Sequence, residues 1–158
     1  MATAQLLYEE AAVAFPNRID RTVELAHPPA RVWAALTTAE GLASWFGHEA
    51  EIDLRPGGTG ELRWEDHTSP IRVERVEEPA VFAFTWPIHG LPDSDPRRTY
   101  VEFTLEPTDA GTRLTVVETG FAQLSPEQHD QAFGGNVEGW AAELGDLVAH
   151  LAAHPDAA

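Results

Sequence analysis

The chain has no cysteine, no lysine and a single methionine, and no apolar run approaches the roughly 18 to 20 residues that cross a bilayer. Without cysteine, disulfides and thiolate chemistry are excluded and the redox compartment leaves no mark. Without lysine, all ten basic residues are arginine, and the 26 acidic residues bring the formal net charge to −16. Such a surface repels phosphate backbones and anionic lipids, because nucleic-acid binders gain most of their affinity from Lys and Arg displacing counterions. Neither nucleic acid nor a membrane is an expected partner, and the charge reads as a solubility device. No signal-peptide pattern opens the chain, so a soluble cytoplasmic protein is the expectation.

What the sequence does have is one long amphipathic helix and a series of strands. Ser125-Pro126-Glu127-Gln128 reads as a helix start, with a hydroxyl cap, proline in the first turn and Gln128 placed to reach back. Phe133, Val137, Trp140, Leu144, Leu147 or Val148, and Leu151 then recur at steps of about four and three, which makes one apolar stripe. That stripe needs a partner surface. Upstream, Ile19, Val23 and Leu25 alternate with polar residues as in a half-buried strand, and Pro28-Pro29 stops it. Pro29 to Leu36 and Thr38 to Phe46 read as two short helices, the second ended by Gly47. Six further strands are predicted at His48 to Leu54, Glu61 to Glu65, Ile71 to Glu77, Ala80 to Trp86, Thr99 to Glu106 and Thr112 to Thr119. Thr108-Asp109-Ala110-Gly111 reads as a hairpin turn, and the proline-rich segment 87–98 as a mobile loop beside the sheet edge. Residues 1–17 form an N-terminal arm of no evident role, and 18–155 form one α+β domain with the helix laid across a curved antiparallel sheet.

Strand, two short helices, six strands and a long helix, in that order, resemble the helix-grip fold of the START-like (SRPBCC) superfamily. Within it the chain is similar to homologues of the C-terminal domain of the heat-shock-protein ATPase activator. The residues carrying the likeness are Val32-Trp33, Leu36-Thr37, Leu42 with Trp45-Phe46, Gly57-Gly58, Val73 and Val76, and Pro79 leading into Phe84-Thr85-Trp86. Gly111 to Thr115, Glu118 to Phe121 and Gly139-Trp140 complete it. The resemblance implies a seven-stranded antiparallel sheet gripping the long helix, with a cavity between them that admits an apolar small molecule in many relatives. It also implies that the first and last strands are antiparallel neighbours.

Strand parity proposes the lining: Leu62 and Trp64, Phe82, Phe84 and Trp86, Val101, Phe103 and Leu105, and Leu114 and Val116 face the helix, where Phe133, Val137 and Trp140 meet them. The bland reading, favoured for most of them, is a filled core. Trp45 is a further candidate. Three polar residues share the inward parity, namely Arg21, His48 and Glu118, and a buried charge is costly unless paired. Given the strand neighbourhood the resemblance implies, a partly buried Arg21–Glu118 pair is predicted, either tying two strands together or fixing the polar end of a ligand.

Other constellations fail. His150 and His154 at i, i+4 lack a third ligand, so no metal is expected, and no cofactor motif is present; Gly57-Gly58-Thr59-Gly60 lacks the lysine and helix of a phosphate loop. Three functions are therefore ranked. The first is binding of an apolar or aromatic small molecule for sequestration, sensing or delivery. The second is a polyketide cyclase- or hydrolase-like enzyme using His48, Glu118 or Arg21 as acid, base or anchor. The third is a chaperone ATPase-activating module. The eukaryotic activator carries a separate N-terminal domain that 158 residues do not accommodate, so a chaperone partner is not expected, while a homodimer is allowed.

Overall fold

The computed structural model describes residues 17–88, 90–92 and 94–153. Strand β1 (Arg18–Leu25) is followed by helices α1 (Pro29–Thr37) and α2 (Ala39–Trp45). Strands β2 (Glu49–Ile52), β3 (Thr59–Arg63), β4 (Thr68–Glu77), β5 (Val81–Pro87), β6 (Arg98–Thr108) and β7 (Gly111–Thr119) come next, then a 3-10 turn at Phe121–Gln123 and helix α3 (Pro126–Ala153). The strands form one seven-stranded antiparallel sheet in the order β1-β7-β6-β5-β4-β3-β2, so the first strand closes against the last. The strand, helix-pair, strand and helix succession expected from the sequence is the one observed.

Local chemistry explains the boundaries. Proline opens α1, Thr38 caps α2 by accepting from the Gly41 amide at 2.9 Å, and Ser125 and Gln128 exchange two side-chain-to-amide bonds at 3.3 Å each at the head of α3. Helix α3 lies on the concave face of the sheet. Phe82, Phe84, Phe103, Leu105, Leu114 and Val116 supply the sheet side of the core, and Trp140, Leu144, Leu147 and Leu151 the helix side. Of the two candidates one turn before Leu151, Leu147 is fully buried and Val148 is 41% exposed. Among the described residues no helix is long and apolar enough to cross a membrane.

Two details differ from expectation. Strand β2 starts at Glu49, leaving His48 exposed ahead of it with its amide donating to the Arg63 carbonyl. The connection after β5 joins two central strands, not an edge, so it emerges over the middle of the sheet beside α3. Periodicity finds strands but not their spatial order, which depends on long-range pairing.

The helix seam makes a direct prediction. Leu147→Ala lowers stability by about 2 to 5 kcal/mol through lost burial and a residual cavity, whereas Val148→Ala changes it by less than about 0.5 kcal/mol. Denaturant midpoints of the two variants measure the contrast.

Candidate functional site

The most unusual group in the interior is Glu118. It stands on β7 opposite Val101 of β6 and Ile19 of β1, and the same inward parity that buries Leu114 and Val116 leaves it fully buried. Four neutral side chains donate to it. The Trp86 indole N–H reaches Oε2 at 2.8 Å and the Thr99 hydroxyl reaches it at 2.5 Å, while the Trp140 indole N–H reaches Oε1 at 2.8 Å. The Asn136 amide spans both oxygens at 2.9 and 3.0 Å. Donors thus come from β5, β6 and α3, and the carboxylate ties the helix to the sheet.

The predicted Arg21–Glu118 pair does not form. Arg21 sits opposite Val116 on the edge strand and is exposed, so its guanidinium keeps its hydration while Glu118 is met by neutral donors. Thr99 and Asn136 carry no charge to draw notice in the sequence, although both are in phase: Thr99 shares parity with Val101 and Phe103, and Asn136 lies four residues before Trp140. A search restricted to charged partners overlooks them.

Above Glu118 lies a cleft of about 870 Å³ between the sheet, the connection after β5 and α3. Its floor is aromatic. Phe46 stacks on Trp140 at 5.4 Å between ring centres, lies 5.8 Å from Trp86, and meets Trp64 edge-on at 5.5 Å. Trp86 and Trp140 are themselves 5.9 Å apart. Because both indole N–H groups are held by Glu118, these two rings have fixed positions on the wall.

Of the residues proposed from the sequence, Trp64, Trp86 and Trp140 line the cleft. Phe84 and Phe103 are buried beneath it, within 5.2 Å of Trp86 and 5.8 Å of Trp140 respectively. Trp45 is buried behind Phe46, its indole N–H donating to the Ala35 carbonyl at 2.8 Å. Phe133 packs on Phe121 and His129, and Val137 is half-buried against the core; neither lines the cleft. His48 and Arg21 are exposed and stand outside it.

The helix wall holds what apolar periodicity overlooks. Gly135, Gly139 and Glu143 recur every four residues along α3 and all face the cleft. Glu143 is half-buried, and its Oε2 is buried without a hydrogen-bond partner. Burial pushes its carboxyl up to about 7, Asp146 adds in the same direction, and the neighbouring Trp64 indole opposes both. Beyond Trp64, His67 stacks on the indole at 4.7 Å and its Nδ1 lies 2.6 Å from Asp66. No cluster of three metal-ligating side chains occurs among the described residues, and His154 of the candidate histidine pair lies outside them.

The connection after β5, which lends Ile88 and Leu91 to the cleft, is fastened at its far end by Arg97. That guanidinium pairs with Asp95 at 2.8 Å, and also donates to the Gln123 carbonyl at 3.3 Å and to Gln128 at the start of α3 at 3.4 Å. Hydrogen bonds from Arg97 hold the Asp95 carboxyl down at about 2.

Three outcomes are expected from this geometry. Glu118→Gln places an amide N–H₂ against converging donors and costs about 1 to 3 kcal/mol for each donor left unmet, with a shift in tryptophan emission, read by denaturation and fluorescence. Arg97→Ala frees the β5–β6 connection, so limited proteolysis there accelerates while the melting midpoint barely moves. For Glu143, whose folded-state carboxyl titrates above its unfolded value, the contribution to stability is full below about pH 4.5 and is lost as pH rises through about 7. Glu143→Gln therefore flattens that decline, measured as melting midpoint against pH.

The comparisons with known proteins agree with this architecture. The family described as Activator of Hsp90 ATPase homolog 1-like protein matches residues 26–152. A search of curated proteins finds no match. Among solved structures, protein MLL2253 from Mesorhizobium loti is 26% identical over 85% of this chain and 96% of its own, with a TM-score of 0.74. DynU16, a protein in the dynemicin biosynthetic locus, is 23% identical over 86% of this chain and 47% of its own, with a TM-score of 0.72. The Aha1 dimer from Colwellia psychrerythraea is 18% identical over 82% of this chain and 92% of its own, with a TM-score of 0.68. With a sheet closed on its own first strand, a helix gripped in its concave face and a family match over most of its length, this chain is a START-like helix-grip protein belonging to the Activator of Hsp90 ATPase homolog 1-like family.

Proposed function

We propose that the chain binds an apolar, planar small molecule in the cleft between the sheet and α3. The observation that carries this reading is the pair of glycines on the helix wall. Glycine inside a helix costs about 1 kcal/mol relative to alanine; a Cβ built on Gly134, Gly135, Gly139 or Gly145 would meet nothing within 4 Å, and of these four Gly135 and Gly139 line the cleft. Packing therefore does not demand either glycine. Their missing side chains leave room beside Trp140 in a space bounded from outside the helix by Phe46, Trp64 and Trp86. A volume of about 870 Å³ suits a drug-sized molecule.

An enzyme built on His48, Glu118 or Arg21 has less support. The first and last are exposed, and both oxygens of Glu118 already accept hydrogen bonds from the groups that hold the walls. A base in that position would have to release the tryptophans to act.

The test is a tryptophan-quenching titration with neutral polycyclic aromatic compounds on wild type, Gly139→Ala and Gly139→Leu. Saturable quenching is expected in wild type, with at least tenfold weaker binding in Gly139→Leu. Both variants should melt no lower than wild type, since each removes a helix glycine. Absence of saturable binding to wild type, or undiminished binding to the leucine variant, overturns the reading.

A further inference from the structure

Resting on the cleft as a ligand site, we infer that the ligand carries a protonated amine on its planar apolar body and that Glu143 receives it. Three observations on this wall point the same way. Glu143 Oε2 is buried with no donor, an arrangement that costs free energy until something donates to it. The carboxyl lies one helical turn beyond Gly139, so a planar molecule over Phe46 and Trp140 would reach it at its edge. Asp146 adds like charge from the same helix, and the formal charge of the chain is −16. A hydroxyl would supply the missing donor but leave the crowded negative charge uncompensated. An ammonium supplies both, and beside the aromatic wall it gains a cation–π contribution. An anionic ligand is opposed by Glu143 itself.

The groups around the anchor are few. Asp146 shares its helix, Trp64 follows β3, the His67–Asp66 pair stands behind that indole in the β3–β4 turn, and exposed Arg98 lines the cleft at the start of β6. Free Glu143 titrates at about 7, raised mainly by burial, so ammonium binding expels its proton. Affinity for an amine accordingly falls from pH 8 to pH 6.

A matched series separates these ideas: 1-naphthylmethylamine, 1-naphthalenemethanol and 1-methylnaphthalene, each titrated by fluorescence into wild type and Glu143→Gln at pH 8 and pH 6. The amine is expected to bind wild type at least tenfold more tightly than the hydrocarbon at pH 8 and to lose that advantage in Glu143→Gln. The hydrocarbon should bind both proteins equally at both pH values. If amine, alcohol and hydrocarbon bind alike in both proteins, Glu143 is not an anchor, although the cleft still binds ligand. If the alcohol outranks the amine, the cationic class is overturned. If none of the three binds, the cleft reading itself fails.

Discussion

The packing of helix against sheet and the two tryptophans of the cleft depend on a single buried carboxylate solvated by protein donors. Glu118 has lost its water, and no arginine replaces it. Instead two indoles, a hydroxyl and an amide converge on its two oxygens from β5, β6 and α3. A buried charge is tolerable only when its hydrogen-bonding capacity is filled. The same bonds therefore set the distance between helix and sheet and fix the positions of Trp86 and Trp140. A hydrophobic core alone would hold α3 against the sheet through Leu144, Leu147 and Leu151, but it would not choose the rotamers of the two indoles.

The division of labour along α3 follows from this. Its C-terminal half is a packed seam that ends at Leu151. Its middle carries Asn136 and Trp140 toward Glu118, and between and beyond them Gly135, Gly139 and Glu143 face the open cleft. One helix thus grips the core with one stretch and walls a cavity with another. The cavity's remaining side comes from the connection after β5, which Arg97 fastens to the head of the same helix.

How much of this was legible follows the range of the interactions. Strand parity located Glu118 as an inward-facing charge, and helical spacing placed Trp140 on the stripe. Charge and parity do not identify the partners of Glu118, because opposite charge is only one way to satisfy a buried carboxylate. Arg21 had the right parity, but it lies on an edge strand where a long side chain keeps its water. His48 had the right parity with Ala50 and Ile52 too, yet the strand begins one residue later and leaves it exposed. Gly135, Gly139 and Glu143 carry no apolar signal, so a search for hydrophobic periodicity passes over them even though they repeat at helical spacing.

The amino-acid sequence by itself determined the element order, the cap of α3, the hairpin between β6 and β7 and which face of α3 is apolar, because each of these rests on residues within a few positions of one another. Tertiary structure decided which donors meet Glu118, which aromatic residues line the cleft and which lie beneath it, and that the β5–β6 connection overhangs the sheet's centre. Those outcomes depend on strand order and on groups such as Trp86 and Glu118, 32 residues apart in the chain, arriving at one point.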